Sequence, residues 1–422
     1  MNLIISNIKE LVQTEEKPRR WVAGLEMSKL PVIKEAYLVI KNGLIEDFGT
    51  MEKFRQADQS AYAGFEEIDA TGRYVFPCFA DSHTHLVYAG SREQEFADRI
   101  KGKTYEEIAA AGGGILNSAR RLQETSEEEL YQSALVRLHE VIRMGTGAIE
   151  IKSGYGLTVE DELKMLRVVK RLKDLDLIEI KASFLGAHAI PKSYTNRQDY
   201  IDLIVNEMIP QVAAERLADY VDAFCDQGFF TPEETDQILK KGIEHGLRPK
   251  IHANQLAASG GVQVGVANNA ISVDHLEHVG EPEIRTLLQS ETMPTLLPGA
   301  AFFLGLPYQP ARTMIEAGLP LALASDYNPG SCPSGSMPFI TSLACIKLKM
   351  LPEEAFNACT INSAYAMGLE KTHGSIARGK TGNVFITQAI SSYGFIPYAF
   401  GTNTIDKVII KGRLFYQAPP LV

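Results

Sequence analysis

The chain has 422 residues, 45% hydrophobic and 22% charged, which is apolar enough for a large folded core and rules out a disordered polymer. Lys and Arg number 42 against 52 Asp and Glu, so 42 − 52 gives a formal net charge of −10. That balance argues against nucleic acid or an anionic membrane as the main partner, since both need a basic face, but leaves a small acidic substrate open.

The N-terminal residues lack a basic segment followed by a long apolar run, and Asp, Glu or Lys interrupts every later apolar stretch, so neither a secretory signal nor a membrane span is expected. Cys78, Cys225, Cys332, Cys345 and Cys359 are odd in number and widely spread, without a CxxC pair, which predicts free thiols in a reducing compartment. A soluble, cytoplasmic protein is the expectation.

In chain order, the first seventy or so residues carry short β-like runs, Leu3-Ile4-Ile5 and Tyr37-Leu38-Val39-Ile40, with Asn42-Gly43 as a hairpin turn. Trp21 sits in a polar, Pro-containing segment, is expected to cover this sheet, and carries no functional role. Then the style changes to strand and helix in alternation. Eight strands are predicted to end near Ser82-His83, Ile151-Lys152, Leu185-Gly186, Cys225-Asp226, Ile251-His252, Val273-Asp274, Leu296-Leu297 and Ala324-Ser325. Helices fall between them, for example Glu128 to Met144, Val159 to Leu172, Pro232 to His245 and Ala311 to Ala317. The last fifty residues return to strands, Asn383 to Thr387 and Asp406 to Ile410, with Lys411-Gly412 as the turn. The two ends are expected to pair with each other.

Eight strand–helix repeats fit an α/β fold of the (β/α)8 TIM barrel type or a doubly wound open sheet. Polar residues favour the barrel. His83, His85, His188, His252, His275 and Asp326 all fall at or just beyond the C-terminal ends of predicted strands, where a barrel gathers them at one mouth and an open sheet spreads them along a line. The expected division is 1–75 plus 370–422 as a small β-sandwich domain and 76–369 as the barrel.

His83 and His85 stand at i and i+2, on one face of a strand, where two imidazoles can share a metal ion. An isolated pair of this kind is more often two satisfied loop histidines, so further ligands are required. His252 and Asp326 are candidates, and a carboxylate at the end of the apolar run Leu321 to Ala324 is costly unless paired or metal-bound. His275 reads either as a core histidine or as a group orienting and deprotonating a water beside such a metal.

The opening Phe76-Pro77-Cys78-Phe79-Ala80-Asp81-Ser82-His83-Thr84-His85, the Ser272-Val273-Asp274-His275-Leu276-Glu277-His278 strand and the late Ala324-Ser325-Asp326 resemble the amidohydrolase superfamily, metal-dependent barrel hydrolases with a sandwich built from both termini. Further stretches narrow the resemblance to the branch that hydrolytically opens the ring of imidazolone propionate: Ala89 to Glu93, Ala111 to Leu116, Glu150 to Leu157, Phe184 to Pro191, Leu296 to Gly299 and Ser325 to Ser331. The resemblance implies His83, His85, His252 and Asp326 as ligands of one zinc or iron ion, and His275 beside the reacting water. It implies Arg92, Tyr155, His188, Asn328, Gly330 and Ser331 on the substrate, with Tyr105 a weaker candidate for the propionate side. Arg92 suits a carboxylate gripped bidentately, and His188 suits the ring carbonyl as oxyanion charge develops. A small-molecule substrate, no nucleic acid, no membrane and a homodimer complete what it implies.

One position departs from the pattern. Some relatives place a glutamate three residues after the ligand histidine, whereas this chain has Gln255. An amide cannot exchange a full proton, so Gln255 is expected to hold the ring by hydrogen bonds while Asp326 and His275 move protons. Lys152 ends the second predicted strand, earlier than a bridging carboxylated lysine would, and is expected to be structural or to stand behind a single-metal site. Two rivals are a heterocycle deaminase, which would want the glutamate at Gln255, and a silent scaffold of the same fold, which would be expected to have lost ligands.

Overall fold

A computed structural model describes residues 2–103, 107 and 113–419. The first strands are β1 (Leu3–Val12), β2 (Val32–Lys41), β3 (Leu44–Thr50), β4 (Glu66–Asp69) and β5 (Arg73–Pro77). There follow β6 (Phe79–Thr84), β7 (Thr146–Lys152), β8 (Glu179–Ala187), β9 (Tyr220–Cys225), β10 (Arg248–Pro249), β11 (Ile251–Ala253), β12 (Ser272–His275), β13 (Met293–Leu296) and β14 (Ala322–Leu323). The chain finishes with β15 (Val384–Ala389), β16 (Ile405–Ile410) and β17 (Arg413–Gln417).

Both ends of the chain build one sheet, in the order β17-β16-β15-β5-β1-β2-β3, with β4 beside β1. Its central seam is the antiparallel pairing of Val384, Phe385 and Ile386 with Pro77, Phe76 and Val75. Alternation along the strands sends Leu3, Ile5, Leu38, Ile40, Ile45, Val384, Ile386 and Ile409 into one shared apolar core, which folds the sheet over itself. Two hairpins close where the sequence places them: Asn42 and Gly43 have φ of 53° and 82°, and Lys411 and Gly412 have 50° and 72°, the left-handed pairs that a tight two-residue turn needs.

The middle strands run parallel in the order β6-β7-β8-β9-β11-β12-β13-β14, with the short β10 beside β9. Beyond β14 the chain returns to β6: Asp326 N donates to His83 O at 3.0 Å and His85 N donates to Tyr327 O at 2.9 Å. These bonds bring the eight-stranded barrel nearly to closure. Asp81 clamps the same seam from inside by accepting from Ser325 N at 2.9 Å and Ser325 Oγ at 2.5 Å. Sheet and barrel meet through Phe76, Phe79 and Phe385, whose rings stack at 5.0 Å. Gly145 turns into β7 at φ 90°, directly beneath Phe385, where a Cβ would have no room.

The crossover helices begin at legible caps. Ser126 with Glu129 and Thr231 with Glu234 form capping boxes on helices Glu127–Arg143 and Pro232–Glu244, and Thr158 caps Val159–Asp174. Trp21 corrects one expectation. It packs with Met293, Ala322 and Tyr365, its ring 4.8 Å from that of Tyr365, and so covers the N-terminal end of the barrel rather than the sheet. Among the described residues, no helix is long and apolar enough to cross a membrane.

Candidate metal centre and substrate cavity

His83 points inward from β6 and His85 from just beyond it, His252 from β11, and Asp326 from the turn after β14, so strand ends alone bring four donors together. Asp326 Oδ1 lies 3.5 Å from His83 Nε2 and 3.7 Å from His85 Nε2, and the Nε2 atoms of His85 and His252 are 3.5 Å apart. All four side chains are buried, and His83 Nε2 has no hydrogen-bond partner among the described residues. Their ligand atoms fall into two overlapping groups that could hold a metal ion, His83 with His85 and Asp326, and His83 with His252 and His275. Three imidazoles and a carboxylate gathered at these strand ends form a donor set suited to zinc, iron or a similar transition metal.

The tautomers needed for ligation are built in. His83 Nδ1 donates to Asp274 Oδ2 at 2.7 Å and His252 Nδ1 to Asp222 Oδ1 at 3.2 Å, so the carboxylates hold the protons on Nδ1 and leave Nε2 bare. Burial holds His83 and His85 well below the ordinary imidazole pKa, which keeps them neutral. Burial also raises the pKa of Asp326, against the pull of His275 and Ser331.

Behind the histidines lies a set of buried charges of which only Lys152 has a role in the sequence reading. Lys152 Nζ reaches Glu150 at 2.5 Å, Asp222 at 2.8 Å and Asp274 at 3.6 Å, with every partner fully buried. Lys250 also pairs with Glu150 and donates to Ser82 O at 3.0 Å. Burial opposes a charge on Lys152, yet Asp222, Glu150 and Asp274 outweigh it and push its pKa up. Lys152 is thus a buried cation that ties together the two aspartates behind His83 and His252. The signal for these residues was present in the sequence: charges inside apolar runs such as Ala148-Ile149-Glu150-Ile151-Lys152 and Tyr220-Val221-Asp222-Ala223 require buried partners.

Two rim loops are pinned by buried carboxylates. Glu162 accepts from the N–H groups of Gly154 at 3.0 Å, Gly156 at 2.7 Å and Leu157 at 2.9 Å, which fixes the loop bearing Tyr155. Asp226 accepts from the N–H groups of Gln255, Leu256 and Ala257, at 2.7, 2.8 and 3.2 Å. Both clamps draw on backbone donors that a rim loop would otherwise leave unsatisfied.

Above the donors opens a cavity of about 740 Å³, lined among others by His85, Arg92, Tyr155, His188, Gln255, His275, Asp326, Asn328, Gly330 and Ser331. Tyr105, the remaining sequence candidate, lies outside the described residues. The Arg92 guanidinium lies across Gly330, where a Cβ would collide with it. Burial pushes Tyr155 up to about 12, although neighbouring Arg92 works against this. Asn328 commits all its side-chain capacity to its own loop: Nδ2 donates to Asp326 O at 2.7 Å and Ser331 Oγ at 2.5 Å, while Oδ1 accepts from the backbone N–H of Gly330 and Ser331. Ser331 Oγ in turn donates to Asp326 Oδ2 at 2.8 Å, which leaves Oδ1 to the histidines.

His188 is expected at the ring carbonyl, and its surroundings bear on how it can act there. Its Nδ1 donates to Gly154 O at 2.9 Å, and burial, with His252 beside it, lowers its pKa to about 3. The ring is therefore neutral with its free Nε2 an acceptor. In that state it can receive an N–H and cannot donate to a developing oxyanion. For His275 the shift runs the other way: burial disfavours its charge, but Glu277 outweighs burial and the pKa is raised.

The model of the amidohydrolase family matches residues 74–415. The chain is 58% identical over 415 residues to an imidazolonepropionase of Flavobacterium johnsoniae, covering 98% of this chain and 100% of that one. It is 56% identical over 417 residues to an imidazolonepropionase of Christiangramia forsetii, with 98% and 100% covered, and 40% identical over 417 residues to one of Clostridium tetani, with 99% and 98% covered. Among solved structures it superposes on guanine deaminase of E. coli with a TM-score of 0.75 at 14% identity, covering 99% of this chain and 100% of the other. A 5-methylcytosine deaminase from Klebsiella pneumoniae gives 0.73 at 18%, with 100% and 99% covered. Identities this low speak for the fold alone.

Proposed function

The chain belongs to the amidohydrolase family and, within it, to the imidazolonepropionases, and on that premise we propose that it hydrolytically opens the ring of 4-imidazolone-5-propanoate to N-formimino-L-glutamate in L-histidine degradation. The observation that carries this reading is the overlap of two candidate metal-binding groups at His83, beside a cavity lined by His85, His252, Asp326 and Arg92. One zinc or iron ion held by His83, His85, His252 and Asp326 would polarise the ring carbonyl, carry its developing negative charge and acidify water.

The chain's own groups supply the rest. Arg92 grips the propionate through two parallel N–H···O bonds, with Tyr155 beside it. Gln255 holds the ring through its amide, and His188 Nε2 accepts a ring N–H. Asp326 takes the proton of the attacking water, while His275 hydrogen-bonds that water. Oxygen adds to the ring carbonyl carbon, the C–N bond breaks, and the proton returns through Asp326 and His275 to the departing ring nitrogen. Asn328, Gly330 and Ser331 act by shaping the loop under Arg92 and Asp326. The absence of a glutamate at Gln255 speaks against deamination, and the intact donor set speaks against a silent scaffold.

The reading extends to a homodimer working in the cytoplasm, where the five free thiols fit a reducing setting. It also takes 1–75 with 370–422 as the sheet domain and 76–369 as the barrel that carries the chemistry. Metal analysis and the ultraviolet absorbance of the imidazolone ring test it together. One equivalent of metal per chain and loss of absorbance that chelation abolishes are expected; full metal content without any loss would refute the activity. Asp326→Asn is expected to lower turnover by about 100-fold or more, the usual worth of a general base. Near-parental turnover with full metal content would remove Asp326 from proton transfer.

A further inference from the structure

The chain leaves β12 through two successive left-handed residues, His275 at φ 87° and Leu276 at φ 69°. Side chains rarely tolerate this conformation, and a leucine there is held only by its surroundings. Those surroundings are on both sides: Leu276 N donates to Ala253 O at 3.1 Å and His278 N to Asn254 O at 2.9 Å, which anchors the turn to the end of β11. The turn returns the Glu277 side chain towards the imidazole it has just passed. Glu277 Oε1 lies 3.6 Å from His275 Nδ1, and the carboxylate is fully buried.

Neither oxygen of Glu277 has a hydrogen-bond partner among the described residues, and His275 Nδ1 has none either. A buried carboxylate without a donor is too costly to be incidental. Two unpartnered groups facing each other at this distance are one small rotation from a hydrogen bond, as catalytic pairs without bound substrate often are. The neighbouring imidazoles repeat the arrangement, with Asp274 behind His83 at 2.7 Å and Asp222 behind His252 at 3.2 Å. His275 faces the cavity.

We propose that Glu277 is a positioning residue for the ring-opening reaction, taking the Nδ1–H of His275 so that Nε2 faces the attacking water as an acceptor. This rests on the activity proposed above. Positive charge that gathers on the ring as the water O–H bond weakens is met by a carboxylate that itself neither gains nor loses a proton. Gln255 cannot share that task, being an uncharged amide. His275 lines the cavity and Glu277 stands behind it, so Glu277 acts through His275.

The test is a cycle of Glu277→Gln, His275→Asn and the double variant, each loaded with metal and assayed on imidazolone propionate. E277Q is expected to lose about 100-fold in kcat, in the range of a lost acid–base function, with KM within about threefold and parental metal content. In the H275N background the same substitution is expected to change kcat by less than about twofold, since the interaction is already gone. Parental kcat in E277Q, or an equal loss in both backgrounds, overturns the proposal. Ring 15N shifts of His275 in the metal-loaded parent give a reading that needs neither turnover nor a folded variant: the Nδ1–H tautomer is expected, and the Nε2–H tautomer refutes the proposal. A parent with that tautomer but no action on imidazolone propionate would instead refute the activity assignment.

Discussion

A side chain at Gly330 would occupy the place of the Arg92 guanidinium. If Arg92 grips the substrate carboxylate as proposed, Gly330→Ala is expected to raise KM by displacing Arg92 while the protein stays folded and metal-loaded. Arg92→Lys keeps the charge but loses the planar fork, and a charge-assisted bond worth about 1.5–3 kcal/mol corresponds to a KM roughly 10- to 100-fold higher. Unchanged KM in both variants would place the substrate carboxylate elsewhere. His188 yields a pH prediction. Burial first, then His252, lowers its pKa from the ordinary 6.5 to about 3, so the folded chain binds fewer protons there than the unfolded chain over that interval. Its contribution to stability is then complete above 6.5 and is lost as the pH falls towards 3. Denaturant midpoints of the parent and His188→Gln should diverge in the parent's favour from pH 4 to pH 7; a constant difference would mean that His188 binds protons equally in the folded and unfolded chain.

At the scale of elements, the strand ends were legible because apolar runs stop where polar rim residues begin. The predicted end at Ile151-Lys152 meets β7 at Lys152, and those at Cys225-Asp226 and Leu296-Leu297 meet β9 and β13 within a residue. The capped helices were legible too, since Thr231-Pro232 and Ser126 announce their starts. Less legible was what stands behind the rim. Periodicity shows that Glu150, Lys152 and Asp222 face inward, but not which inward charge meets which, because their pairing runs between strands 70 residues apart, as Lys152 and Asp222 do. Trp21 was misplaced for a related reason: its partner Tyr365 comes from the far end of the chain. The Lys152 network also makes an element-level prediction. Lys152→Met strands buried carboxylates and is expected to cost about 3–5 kcal/mol of stability. Loosened support for His83 and His252 should weaken metal binding by about 10- to 100-fold. Parental unfolding and metal affinity in this variant would show that the two aspartates orient the ligand histidines unaided.

For the whole molecule, the net charge of −10 and the anionic substrate are reconciled by position. Arg92, Arg99 and Lys103 line the cavity beside Glu95, so cations outnumber that acid where an anion would enter although acids dominate the chain as a whole. The sheet built from both termini bears no residue of the donor cluster; it seals one side of the barrel through Phe76, Phe79 and Phe385, leaving the C-terminal rim free for chemistry. In the proposed reaction water attacks a ring carbonyl and a C–N bond opens with both nitrogens retained. It is tested most directly by following the nitrogen of imidazolone propionate turned over by the metal-loaded protein, with ammonia and N-formimino-L-glutamate measured in the same reaction. N-formimino-L-glutamate equal to the substrate consumed, without ammonia, is the predicted result; ammonia released in step with substrate loss would contradict it.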